Sequence, residues 1–177
     1  MENRYILTAF GKDRPGVVAD VSQIVYEIGG NLKDSTMTRL MDEFAIILLF
    51  SVREPDVDKQ LTMECRRLER DKAISAFFRR LEATEAGPEV AQPSHTLFIE
   101  GIDHTGIVYR VSRFLADRHI NIVNLSSKVS FSPESGSALY TMEIEAWVPE
   151  VRAIDELQKG LDQLGEELQI EIHMRPH

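Results

Sequence analysis

Cysteine occurs once in the 177 residues, at Cys65. One thiol cannot close an intramolecular disulfide, which agrees with a reducing compartment. Long apolar runs are also missing. The longest, Phe44 to Phe50, is far short of the ~20 residues of a membrane helix and suits a buried strand. The opening Met1-Glu2-Asn3-Arg4-Tyr5 lacks the charged, apolar and small-residue segments of a secretory signal, so the expected location is the cytoplasm. Basic charge is scarce, at 20 Lys and Arg against 29 Asp and Glu, a net charge of −9. That sign argues against direct binding of nucleic acid, where neutralised phosphates reward basic surfaces. Residues 1–83 are nearly balanced, with 13 basic and 14 acidic side chains; residues 84–177 carry 7 and 15. The local cluster Arg66, Arg67, Arg70, Lys72, Arg79 and Arg80 reads as a solvated helix face and strand end.

What the chain does contain is an internal repeat at an offset of 90 residues. Gly11, Asp13, Gly16, Val18, Val21, Ser22 and Asn31 recur as Gly101, Asp103, Gly106, Val108, Val111, Ser112 and Asn121. Val17 becomes Ile107, Ile24 becomes Phe114, Val25 becomes Leu115 and Leu32 becomes Ile122, without a gap. Between the copies, residues 84–94 hold two prolines, a glycine and no periodicity, and read as a linker. Modules are therefore expected at 1–83 and 95–177.

Each copy reads as strand, helix, strand, strand, helix, strand. In the first, the strands are Arg4–Phe10, Leu32–Leu40, Phe44–Val52 and Ile74–Leu81. The helix after Gly16 should bury Val17, Val18, Val21, Ile24, Val25 and Ile28, and Gly29-Gly30 should end it. Pro55 should open the second helix, with Val57, Leu61, Cys65 (or Glu64) and Leu68 along one side. In the second copy the strands are Thr96–Gly101, Ile122–Phe131, Ala138–Val148 and Leu168–Met174. A loop with Pro133 and Gly136 separates the middle pair. A helix over Gly106–Arg118 should point Ile107, Val108, Val111, Phe114 and Leu115 inward, and a second should span Pro149–Leu164. This order predicts an α+β fold of two ferredoxin-like βαββαβ modules, each an antiparallel four-stranded sheet with both helices on one face. Uncovered sheet edges favour a homodimer.

The segment Gly11-Lys12-Asp13-Arg14-Pro15-Gly16-Val17-Val18, a helix, then Gly30-Asn31-Leu32, resembles the ACT domain. So does Gly101-Ile102-Asp103-His104-Thr105-Gly106-Ile107-Val108 with Asn121-Ile122. Two such halves and nothing else resemble the glycine cleavage system transcriptional repressor family. The resemblance implies regulation by a small metabolite, commonly an amino acid, held near the first strand-to-helix turn at an interface between modules. It also implies an indirect mechanism through a DNA-binding activator.

Residue chemistry points to the same turns. Pro15 presets φ near a helix start, Asp13 can cap free amides, and Gly16 clears room beside the backbone. Amides around Gly16, Val17 and Val18 could hold a carboxylate at the positive helix end. Asn31 offers a donor and an acceptor, but reaches that turn only if modules pair. Asp103, His104, Thr105, Gly106, Ile107 and Asn121 form the second set, with His104-Thr105 replacing Arg14-Pro15. Both aspartates are also read as plain caps, and both asparagines as plain turn residues. His95, His104, His119, His173 and His177 show no metal-ligand spacing, and no nucleophile elbow, Walker loop or dinucleotide fingerprint occurs. No metal, cofactor or catalytic residue is expected. Two other readings stay open: a ligand-independent regulatory subunit of a metabolic enzyme, and a small hydrolase or isomerase.

Overall fold

The structure, a computed structural model, describes residues 2–54, 57–81, 92–131, 136–149 and 154–177. The chain divides into two compact units, Met1–Glu85 and Ala86–His177. In the first, β1 (Asn3–Lys12) leads to α1 (Val17–Glu27), β2 (Asn31–Leu40), β3 (Glu43–Val52), α2 (Asp58–Lys72) and β4 (Ile74–Leu81). In the second, β5 (His95–Ile102) leads to α3 (Ile107–Ala116), β6 (Asn121–Phe131), β7 (Ala138–Trp147), α4 (Ile154–Leu168) and β8 (Ile170–Pro176). The sheets run β2-β3-β1-β4 and β6-β7-β5-β8, with every neighbour antiparallel. This is the duplicated ferredoxin-like topology that the element order predicts.

Strand alternation sets which side packs on the helices. Tyr5, Leu7 and Ala9 of β1 are fully buried, as are or nearly are Phe44, Ile46, Leu48 and Phe50 of β3. Against them lie Val17, Val21, Ile24 and Val25 of α1 and Leu61, Cys65 and Leu68 of α2. The second core repeats this with Leu97, Ile99, Ile144, Val111, Leu115 and Leu161. The outer strands β2 and β6 are exposed almost throughout. Gly11 and Gly101 let the strand pairing partner of β1 and β5 come close. A Cβ at Gly101 would stand 2.6 Å from Ile170 Cγ2, and one at Gly11 would stand 3.0 Å from the Ala73 carbonyl oxygen.

α1 ends in a Schellman motif. Gly29 takes φ +65°, the Gly30 N–H donates to Val25 O at 2.8 Å, and the Gly29 N–H donates to Tyr26 O at 3.0 Å. α3 closes with the same pair of bonds, Ile120 N–H to Leu115 O and His119 N–H to Ala116 O. Here the left-handed residue is His119, at φ +56°.

Several expectations need correction. Val18 and Val108 are 45% and 41% exposed instead of buried, because each lies about 100° round the helix from the buried Val17 or Ile107, at the edge of the apolar stripe. Phe114 is only partly buried, its ring under the Arg118 guanidinium at 3.6 Å. α4 continues four residues beyond Leu164, since Gly165 and Leu168 prolong the buried stripe; Gln169 (φ +52°) then turns the chain into β8. The expected helix start at Pro55, the loop residue Pro133, residues 150–153 and linker residues 84–91 lie outside the described residues. Ser94 is tied into the second module: its N–H donates to Ala146 O at 2.9 Å and its Oγ accepts the Val148 N–H at 3.0 Å.

Two outcomes are expected. A non-glycine residue in the left-handed region costs about 1–2 kcal/mol, partly offset in a glycine variant by greater freedom of the unfolded chain. His119→Gly should therefore stabilise the second module by about 0.5–1 kcal/mol in urea unfolding. Burial pushes the Cys65 thiol up to about 11. At pH 8 the native thiol should alkylate with iodoacetamide at least about a hundredfold more slowly than the urea-unfolded chain.

Candidate functional site

β1 lies in the sheet and α1 packs across it, so residues 13–16 must reverse the chain in four positions. They do so as a type II turn, with Pro15 at its second place and Gly16 at its third, φ +93° and ψ −3°. The Val17 N–H donates to Arg14 O at 3.3 Å. Thr105 and Gly106 (φ +96°, ψ −3°) build the matching turn before α3. Pro15 thus belongs to the turn and not to the first helical position. The N-cap residues are Gly16 and Gly106, and neither helix has a side-chain cap. Because a glycine occupies the capping place, the first amides of each helix stay open: those of Val18 and Ala19, and of Ile107, Val108 and Tyr109, have no intramolecular partner among the described residues. The side chains of Val17 and Ile107 are buried, leaving only their backbone to face a ligand.

The aspartates do not cap. The Asp13 N–H donates to Asp42 O at 2.8 Å, and its carboxylate lies 3.6 Å from Arg39 Nη1, toward the β2–β3 hairpin. The Asp103 N–H donates to Ala138 O at 3.0 Å. Both residues tie the end of the first strand to a neighbouring hairpin. Asn31 and Asn121 open β2 and β6, and both are exposed. Each lies beyond the C-terminal end of the helix whose N-terminus carries the glycine, about 16 Å away for the 11 residues of α1. Within one module the structure does not bring them to the turn.

The two turns differ in charge. Arg14 folds back over the first, with Nη2 donating to Asp20 Oδ2 at 2.7 Å and Nη1 to Pro15 O at 3.3 Å. Asp20 also lies 3.5 Å from Lys72 Nζ. The hydrogen bond from Arg14, helped by Lys72, holds the Asp20 carboxyl below its usual range. In the second module His104 instead reaches α4, with Nε2 at 2.8 Å from Leu168 O. Asp20 is replaced there by Arg110, paired with Glu167. Each charge is neutralised by its partners, Asp20 by Arg14 and Lys72 and Arg110 by Glu167, and the second turn has one more open amide, that of Ile107. The exchange is visible in the 90-residue repeat, but it acquires meaning only once both residues are placed one turn from the open amides. A Cβ at Gly106 would meet no heavy atom within 4 Å, while at Gly16 the nearest is Arg14 Nη1 at 3.8 Å.

Neither turn is a closed pocket. Two broad grooves of the second module, of about 410 and 710 Å³, lie along its sheet face and beside α4, and residues 103–107 line neither. No group of three or more His, Cys, Asp or Glu is placed to hold a metal among the described residues. No helix there is long and apolar enough to cross a membrane. The basic cluster is largely committed to local pairs, Arg67 to Glu27 and Glu64, Arg70 to Asp71, and Lys72 to Asp20.

Comparison with known proteins gives these features a family. The ACT domain family matches residues 3–79. A UPF0237 protein of Methanopyrus kandleri is 41% identical over 54 residues, 30% of this chain, which spans 60% of that protein's length. A UPF0237 protein of Listeria innocua is 34% identical over 80 residues, 45% of this chain and 83% of that one. The glycine cleavage system transcriptional repressor of Escherichia coli is 26% identical over 146 residues, 81% of this chain and 74% of that one. A crystal structure of an unknown protein from Galdieria sulphuraria superposes with a TM-score of 0.79 at 26% identity, covering 100% of this chain and 99% of that one. With both halves folded as βαββαβ units, the chain belongs to the ACT-domain family, as a tandem of two modules similar to the glycine cleavage repressor.

Proposed function

We propose that this chain is an amino-acid-sensing regulator without catalytic activity, acting in the cytoplasm through contact with another protein. The partner class is a DNA-binding activator, as the similarity to the glycine cleavage repressor suggests. Residues 84–94 link the modules, and the protein works as a homodimer. The observation that carries the ligand reading is the duplicated turn with unbonded helix amides and no side chain over Gly106. A ligand carboxylate docks on the amides that follow Gly106, near Thr105, Ile107 and Arg110. The first seat, at Arg14, Pro15, Gly16 and Val17, has one open amide fewer, since the Val17 N–H is bonded to Arg14 O, and is the weaker one. Asp13 and Asp103 border these seats, and His104 fixes the second turn against α4. Because each turn is open, enclosure of the ligand requires a second surface.

Size limits the affinity. At about 1.5 kcal/mol per non-hydrogen atom, the smallest amino acid binds no tighter than about micromolar. Such a site reports abundant metabolites.

The test is a thermal-shift and calorimetric screen of the full chain against the twenty amino acids. Val18→Asp and Val108→Asp place a carboxylate beside the amides at exposed positions in a first helical turn, where acidic residues favour the helix. At least one amino acid is expected to raise the melting temperature of the wild type. Val108→Asp should leave the unliganded protein as stable as before and weaken that binding at least about tenfold, with Val18→Asp having the smaller effect. Undiminished binding in both variants would place the ligand elsewhere. Failure of every amino acid to bind would favour a ligand-independent regulatory subunit.

A further inference from the structure

The sheet of each module has a second face, turned away from the helices, and the two modules treat it differently. On the first sheet the central row across that face is Thr36, Ile47, Thr8 and Phe77. Ile47 is 48% exposed, Phe77 58% and the neighbouring Phe10 49%. The equivalent row of the second sheet reads Ser126, Glu143, Phe98 and His173, and the next Lys128, Thr141, Glu100 and Glu171. The fold therefore does not require an apolar outer face, and the first module nevertheless has one. Exposed apolar patches of this kind mark association surfaces.

We infer that this face of the first module packs against the same face of a second copy. Charge placement selects the partner. The row beside Ile47 runs Asp34, Leu49, Ile6 and Arg79, with the acid on edge strand β2 and the base on edge strand β4. Arg79 makes no ion pair among the described residues, and Asp34 accepts only the Ser35 N–H. A two-fold axis parallel to the strands, midway between the stacked sheets, lays β2 of one copy over β4 of the other and β3 over β1. Row stays over row, so Asp34 of each copy faces Arg79 of its mate, and Leu49 meets Ile6 between them. Such aligned packing of two sheets is a standard solution for apolar faces. The face measures about 19 Å across four strands and about 26 Å along eight residues, or about 500 Å² per copy. The total reaches about the minimum for a specific interface, so the contact is concentration-dependent.

The inference shares the homodimer with the proposed function and adds the surface that joins it. Sedimentation of the full chain over a concentration series tests both. The wild type should dimerise, Phe77→Glu should be monomeric, and Asp34→Arg or Arg79→Asp alone should raise the dissociation constant at least about tenfold. The double reversal Asp34→Arg with Arg79→Asp should restore it to within about threefold, an outcome that general destabilisation does not produce. Melting temperatures of the single charge variants, measured well below the dissociation constant, should match the wild type. A wild type that stays monomeric overturns both the homodimer and this surface. A wild-type dimer indifferent to all four variants keeps the homodimer and overturns the surface, as does failure of the double reversal to rescue.

Discussion

The structure depends on the central place of β1 and β5. Each pairs on both sides, with β3 and β4 or with β7 and β8, and sends alternate residues into the core. Each must then leave the sheet and start a helix that lies back on it. Only four residues make that reversal, and it requires positive φ at Gly16 and Gly106. A glycine in the capping place brings no side chain to the helix amides. One steric demand of the fold thus creates the unfilled donors that the proposed ligand uses.

Duplication shows which features the fold needs and which are free. Gly11 and Gly101, Gly16 and Gly106, and the buried stripes of α1 and α3 are held in common, because close approach, turn geometry and the core allow little else. Charges near the turns differ, with Asp20 against Arg110 and Arg14 against His104. The outer sheet faces differ too, more apolar in one module and more polar and charged in the other. These surfaces lie outside the two cores, so they are free to diverge in what they bind.

Much of this was legible in the residues alone. Hydrophobic periodicity, the 90-residue repeat and the Gly29-Gly30 stop signal determined the element order and the two modules, because each reflects local geometry that nearby residues satisfy; the resemblance of the two turn motifs pointed to the family. The same reasoning erred at positions whose surroundings come from elsewhere in the chain. Val18 and Val108 are expected on the buried face but are half exposed, since they sit at the edge of the apolar stripe beside the buried Val17 and Ile107. Asp13 and Asp103 have cap-like spacing, yet their backbones are drawn to Asp42 and Ala138 on hairpins far along the chain. Tertiary structure alone decided that each asparagine lies at the opposite end of its module from the turn, and that Asp34 and Arg79 share one row. Such facts depend on strand register, which long-range pairing sets and no short stretch of sequence encodes.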